Sequence, residues 1–217
     1  MEVYYTILND EWDCFDELLL QYVSNNRRKK VFSYRFMQDR KLSLYVELLC
    51  RLLLSSLSSK NYNDFVFEVM EYGKPIVIGK DGFHVSLSHT RMCAVVCVSE
   101  LGEVGIDVEK INEAPLDIMN TCFSQNEIEN ILCGKTDELN ERFYKMWTCK
   151  EAYLKQIGCG LIEGMEFKSI FDISNDLFST WSIDGYQFAC CSAVKEEVRC
   201  TKISEKEIRN FYFSVDK

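Results

Sequence analysis

The chain has 217 residues, 47% of them hydrophobic, with 11 cysteines, two histidines and a formal net charge of −9. A chain of this size buries a core without disulfide staples, and its acidic balance counts against a general nucleic-acid binder, so any anionic ligand must be met by a local cluster of Lys and Arg. The opening MEVYYTILNDEWDCFDELL lacks the profile of a secretory signal, and the most apolar run, LSLYVELLCRLLLSSL, is broken by Glu47 and Arg51, so the expectation is a cytoplasmic protein with reduced thiols and no membrane span.

In chain order, MEVYYTIL alternates as a strand, and NNRRKK (25–30) is a basic cluster. From Asp39 to about Leu57, apolar residues at Leu42, Tyr45, Leu48, Leu49, Leu52 and Leu53 predict a helix with one buried stripe. PIVIG and FHVSLS read as strands separated by a turn signal at Asp81–Gly82, and MCAVVCVS as a buried strand. Gly102 turns the chain into VGIDVEKI. After a loop carrying Pro115, SQNEIENIL begins a short helix, and DELNERFYKMWTCKEAYLKQIG a long one that ends at Gly158 or Gly160. FDISNDLFSTWSIDGYQFACCSAV predicts strands around a turn at Asp184–Gly185, and TKISEKEIRNFYF fits a short helix or a strand. The cysteines include no CxxC pair, which argues against zinc, and Cys93, Cys97, Cys190 and Cys191 read as small buried hydrophobes.

Each half thus carries sheet material and one long helix in a similar order, without an obvious sequence repeat. The prediction is an α+β fold of two similar lobes, 1–104 and 105–217, each a small antiparallel sheet packed with a long helix. They pack as one monomeric unit with the site at the join.

Four short stretches carry candidate chemistry. In GIDVEKI, Asp107 and Glu109 alternate with Ile106 and Val108, so both carboxylates leave one face about 6.6 Å apart. That geometry fits half of a site for a divalent cation, and equally a half-exposed strand with a solvated face. In WTCKEAYLKQIGCGL, Lys150 adjoins Glu151 and Lys155 lies one turn on. The Glu–Lys pair fits an exposed helix face as well as a carboxylate with cations for a polyphosphate. SLSHT places Ser88 and His89 at a strand end, and EYGKP offers Lys74 in a turn.

Together, EYGKP, VSLSHT, GIDVEKI and WTCKEAYLKQIGCGL resemble the successive signatures of the Sfp-type phosphopantetheinyl transferases, in order and in spacing, from about Arg27 to Leu161. The GIDVE and WTCKEA pair, some forty residues apart, is the specific part. The resemblance implies a transferase that moves the phosphopantetheine arm of coenzyme A to a serine of an apo carrier protein and releases adenosine 3′,5′-bisphosphate. It implies Mg²⁺, with Mn²⁺ as the alternative, on Asp107, Glu109 and Glu151. By the same resemblance Lys150 and Lys155 contact phosphates, Ser88 and His89 lie near the 3′-phosphate and pyrophosphate, Lys74 lies near the adenine, and Arg27 and Lys30 approach the 3′-phosphate. Leu42 stands where the family often has an arginine for that phosphate, and Arg40 or Lys41 is the expected substitute. FSQNE resembles a family segment that makes Glu127 a candidate base, although Ser124 to Glu127 is also a capping box. Glu151 or a water on the metal is an alternative proton acceptor.

Carrier domains of such reactions are small, acidic and helical, so an apolar patch at Met119 to Phe123 with Lys145 beside it is the expected docking surface. Neither nucleic acid nor membrane is an expected partner. The competing readings are the short trimeric holo-acyl-carrier-protein synthases, disfavoured by chain length, and a non-catalytic relic that binds coenzyme A or a carrier. A Mg²⁺-dependent nucleotide hydrolase would need a phosphate loop of the GxxxxGK[ST] type, which the sequence lacks. The motifs do not choose among fatty-acid, polyketide and peptide-synthetase carriers.

Overall fold

The first strand, β1 (Glu2–Ile7), shows how alternation builds the molecule. Val3 and Tyr5 point to one core and Tyr4 to another. The computed structural model describes residues 1–69, 74–78, 82–159 and 169–214. Within them β1 lies inside a four-stranded sheet with β4 (His84–Thr90), β5 (Cys93–Ser99) and β9 (Arg199–Lys202), in the order β4-β5-β1-β9. β5 runs antiparallel to β1 and to β4, and β9 runs parallel to β1.

One face of this sheet, with Ala94, Val96 and Val98, is covered by α3 (Met37–Leu57), whose Leu44, Leu48, Leu49 and Leu53 are fully buried. Each such leucine contributes about 1.5–3 kcal/mol by leaving water. The other face, with Val3, Tyr5, Cys93, Val95 and Cys97, meets Val104, Ile106, Val108, Phe188 and Cys190 of a second sheet. That sheet, ordered β6-β8-β7, comprises β6 (Val104–Lys110), β7 (Phe178–Ile183) and β8 (Tyr186–Ser192), all antiparallel neighbours. Its far side packs through Ala189 and Cys191 on α6 (Leu139–Ile157), which contributes Phe143, Met146, Cys149 and Ala152. The layers run α3, first sheet, second sheet, α6. This is the expected α+β arrangement of two sheets, each with its own long helix, with one correction: the first sheet is mixed rather than antiparallel, because β9, from the 105–217 half, joins it parallel to β1.

Shorter elements complete the chain: α1 (Cys14–Leu19), α2 (Asn25–Ser33), the antiparallel pair β2 (Val66–Val69) and β3 (Pro75–Ile78), α4 (Met119–Cys122), α5 (Gln125–Leu132) and α7 (Glu205–Ser214). The long helices start and stop close to expectation. α3 begins at Met37, two residues before Asp39, and α6 is capped by Gly158 in the left-handed region at φ 75°. Asp184 and Gly185, at φ 56° and 75°, form the tight turn joining β7 to β8. Of the Asp81–Gly82 turn, Asp81 lies outside the described residues, as do Glu71 to Gly73 of EYGKP and Gly160; β3 finds its ladder partner in β2 rather than in β4.

The tail forms both a strand and a helix, and both return to the first sheet. β9 pairs with β1 across almost the whole chain length, and α7 buries Ile208 and Tyr212 in the α3 core. Arg209 ties it down with bonds to Asp13, Asp16 and the Tyr45 hydroxyl, and also pairs with Glu205 one turn back in the same helix.

Candidate active site

The site forms where the edges of the two sheets meet. β4 ends the first sheet and β6 ends the second, and side chains rather than backbone join them. Along β4 the hydroxyls of Ser86, Ser88 and Thr90 recur every second residue on one face. Along β6 Gly105, Asp107 and Glu109 do the same, while Val104, Ile106 and Val108 enter the shared core. The Ser86 hydroxyl accepts from the backbone N–H of Ile106 (3.1 Å). Ser88 Oγ donates to Asp107 Oδ1 (2.8 Å), and Thr90 Oγ1 donates to Glu109 Oε2 (2.9 Å). Two strands of matched period thus place two carboxylates beside two hydroxyls.

α6 closes the site because Gly105 lets it come near. A Cβ on Gly105 would stand 1.9 Å from the carbonyl oxygen of Ala152 and 2.4 Å from the Gln156 nitrogen. Only glycine allows this approach. It brings Lys155 Nζ to 2.6 Å from Asp107 Oδ1 and 2.8 Å from Ser88 Oγ, so lysine, aspartate and serine form a closed triangle. Asp107 is 3% exposed, and its other oxygen, Oδ2, is buried without a hydrogen-bond partner among the described residues. Burial, and then the negative charge of Asp107, raise the Glu109 carboxyl to about 6, with Thr90, Lys155 and Trp147 pulling the other way. The same two causes, burial first and then Asp107, push the Glu151 carboxyl up against the pull of Lys155, and among the described residues its oxygens make no hydrogen bond or ion pair.

Three acidic groups share one desolvated corner with a single lysine. The unpaired Asp107 oxygen and the two raised carboxyls are hard oxygen donors short of positive charge, which fits a divalent cation of the Mg²⁺ type. As placed, Lys155 serves Asp107 as an internal cation, and among the described residues no three His, Cys, Asp or Glu side chains are drawn close enough to enclose an ion.

The remaining candidates divide into three groups. Strand alternation sends His89 away from its neighbour Ser88, into a cavity of about 290 Å³ that it lines with Arg27, Lys30 and Phe67. Burial, then the charges of Lys30, Arg27 and Lys155, lower His89 to about 4, and burial followed by Arg27 lowers Lys30. The cavity sets two cations, Arg27 and Lys30, against the carboxylates of Glu47 and Glu68, and Lys30, with no ion pair among the described residues, is the cation it leaves for an anion. Arg27 is held there by Glu47 (3.1 Å). Lys74 borders an adjoining cavity of about 200 Å³ and bonds Glu103 and the Gln156 carbonyl (2.8 Å); Pro75 lines both cavities.

Lys150 and Glu127 are brought to each other. Lys150 Nζ lies 2.8 Å from Glu127 Oε2, with both side chains buried. Glu127 also accepts from the backbone N–H groups of Ser124 (2.8 Å) and Ile170 (2.8 Å) and from Ser124 Oγ (2.9 Å), so the capping box is real and the carboxylate is fully enclosed.

Two expectations are corrected. Met119 and Phe123 are 4% and 2% exposed, because they pack under α6 against Phe143 and Trp147, so they offer no docking patch. Lys41 is fully buried, and Asp16, Glu205, Asn9 and the Glu11 carbonyl hold its ammonium; it cannot replace the arginine missing at Leu42, which itself lies in the core. Thr90 and Trp147 are the residues the sequence reading passed over. The alternating hydroxyls of SLSHT were the signal for Thr90, and one helical turn before Glu151 was the signal for Trp147.

Residues 103–203 match the model of the 4′-phosphopantetheinyl transferase superfamily, and residues 10–101 match the model named 4′-phosphopantetheinyl transferase, N-terminal. The chain is 30% identical over 189 residues to the 4′-phosphopantetheinyl transferase ffp of Bacillus subtilis, covering 81% of this chain and 84% of that protein. It is 28% identical over 192 residues to the 4′-phosphopantetheinyl transferase Sfp of Bacillus subtilis, covering 82% and 85%. With the 4′-phosphopantetheinyl transferase gsp of Aneurinibacillus migulanus it shares 27% over 205 residues, covering 88% and 85%. No helix among the described residues is long and apolar enough to cross a membrane. The two-lobed fold, the match of both halves and these relatives make the chain a member of the 4′-phosphopantetheinyl transferase superfamily.

Proposed function

We propose that the protein transfers the 4′-phosphopantetheine arm of coenzyme A to a serine hydroxyl of an apo carrier protein, using Mg²⁺ or Mn²⁺ and working as a cytoplasmic monomer. The observation that carries this reading is the Ser88–Asp107–Lys155 triangle beside the electron-rich Glu109 and Glu151. In the reaction a bond forms between the serine oxygen and phosphorus, a pyrophosphate P–O bond breaks, and adenosine 3′,5′-bisphosphate leaves. A transfer of this kind needs charge held in place around the phosphates and an acceptor for the serine proton.

Asp107, Glu109 and Glu151 are the residues that would hold the metal. When bound, the ion would neutralise charge on the pyrophosphate. Lys155, 28% exposed at its side chain, would leave Asp107 and Ser88 to reach a phosphate oxygen, and a cation held by Asp107 would take its place there. Lys30 and Arg27, beside a neutral His89 that can hydrogen-bond, supply the cations for the 3′-phosphate, and Lys74 borders the neighbouring cavity. Glu151, whose oxygens no neighbour among the described residues occupies, or a water on the metal is the proton acceptor, while Glu127 is fully enclosed. Glu127 and Lys150 act by positioning. Their pair joins α5 to α6 and sets the helix that carries Glu151 and Lys155.

The test is the intact mass of an apo carrier after incubation with the protein, coenzyme A and Mg²⁺, with Asp107→Ala and Glu151→Ala alongside. The expected result is one added phosphopantetheine on the carrier with the wild type and none with the variants. A carrier of unchanged mass across acyl and peptidyl types, with coenzyme A still bound, would overturn transfer in favour of a binding role alone.

A further inference from the structure

The chain is acidic as a whole, yet residues 25–41 hold seven Lys and Arg against a single Asp. Two of the seven are spent internally, Arg27 on Glu47 and Lys41 on Asp16 and Glu205. Among the described residues, Arg28, Lys29, Lys30, Arg35 and Arg40 form no ion pair with a carboxylate. Arg28 and Arg40 meet backbone carbonyls, and Arg35 lies over the Phe36 ring at 5.5 Å. The same corner between α2 and α3 exposes Phe32 (53%), Phe36 (61%) and Met37 (50%), large apolar groups that a surface normally hides. It adjoins the cavity beside His89 through Lys30, whose charge reaches His89, the neighbour of Ser88.

We propose that this corner, with Lys29, Phe32, Arg35, Phe36, Met37 and Arg40, is a docking surface for an acidic, apolar-centred face of a compact protein domain. Arginine, aromatic residues and methionine are the types that protein interfaces favour, and unneutralised cations around them call for a partner rich in Asp and Glu. Size decides against a broader anion. A bilayer or a long nucleic acid extends well past a Debye length of about 8 Å and meets the acidic remainder of the molecule, whereas a small domain meets only the corner. Identifying that domain as the carrier rests on the function proposed above. The corner takes the place of the Met119–Phe123 patch, which is buried.

The experiment is titration calorimetry of apo acyl and apo peptidyl carrier domains into the wild type, an Arg35→Glu/Phe36→Ser variant and a Lys195→Glu control, at low and high salt. Sedimentation with vesicles of mixed phosphatidylcholine and phosphatidylserine runs in parallel. Arg35, Phe36 and Lys195 are exposed, so the variants should keep the wild-type melting temperature. The expected result is a loss of carrier affinity of about tenfold or more in the double variant, weaker wild-type binding at high salt, and no change in the control. Equal affinity in wild type and double variant, no carrier binding by the wild type, or corner-dependent binding to vesicles instead would each overturn the proposal. Corner-dependent carrier binding without any mass change on the carrier would uphold the docking surface and overturn the transfer reading.

Discussion

The two long helices hold their charges in opposite ways. On α3, Lys41, Glu47 and Arg51 are almost wholly buried, and each is enclosed by partners. Glu47 accepts from Arg51 at 2.8 Å, Arg27 at 3.1 Å and the Ser24 backbone at 2.7 Å, while Arg51 also donates to the carbonyls of Tyr62 and Phe65. Those bonds hold the Glu47 carboxyl below its usual range even though burial, the largest single influence, works to raise it. On α6 and the strand it touches, Asp107 has an orphaned oxygen, Glu109 and Glu151 are pushed upward, and one lysine serves the group. A buried polar network that is fully satisfied stabilises a fold, whereas one left short of positive charge marks a place for a ligand. The first helix spends its charges on the fold, whereas the second pairs Lys150 with Glu127 and leaves Glu151, among the described residues, without a hydrogen bond or ion pair.

That contrast breaks most sharply on substitution. Removing Asp107 as Asp107→Ala should lower transfer by on the order of 10³-fold, yet cost less stability, about 1–2 kcal/mol, because an unpartnered buried oxygen goes with it and Lys155, 28% exposed, can turn to water when its Oδ1 partner is lost. Glu47→Ala should do the reverse. It leaves Arg27 and Arg51 uncompensated at a cost of about 3–5 kcal/mol, which lowers the melting temperature by roughly 10 °C. Parallel melting curves and initial rates separate the two, and a Glu47→Ala protein as stable as wild type would remove the distinction between the helices.

A subtler break targets the gap between strand and helix. Gly105→Ala sets a methyl group against the backbone of α6 and should cost about 1–3 kcal/mol. As the helix moves, Glu151 and Lys155 shift from Asp107, and transfer should fall about 10²-fold. A rate that drops no further than the folded fraction would deny that this spacing matters. The smallest effect concerns His89, whose folded value near 4 lies below the 6.5 of a free imidazole. The native state therefore holds it neutral. Its stabilising contribution is complete above pH 6.5 and is lost as pH falls from there toward 4. Comparing wild type with His89→Gln across that window should show a difference of about 1–2 kcal/mol, less than the full shift implies because the ring is partly exposed to solvent screening.

Much of this was visible in the chain itself. The 3.6-residue stripe of α3, the glycine cap of α6, the Asp184–Gly185 turn and the two-residue alternation of GIDVE are local, and local signals survive folding. What was not visible is non-local. β9 pairs with β1 nearly two hundred residues away, and nothing in TKISEKEIRNFYF announces that partner. Met119 and Phe123 looked available because a four-residue helix carries too little periodicity to reveal its buried face. Lys41 looked like a phosphate ligand because its partners, Asp16 and Glu205, come from the two ends of the chain. The seam at Asp107 could be anticipated as chemistry but not as geometry, since it depends on two sheet edges meeting in parallel step.

The central claim is that the α6 seam lacks a positive charge which the bound state supplies. Its most direct test is the melting temperature of wild type and Asp107→Ala with coenzyme A, with and without Mg²⁺. The account predicts that Mg²⁺ raises the wild-type value beyond coenzyme A alone and leaves the variant unmoved. An equal gain in both proteins, or none in the wild type, would contradict it.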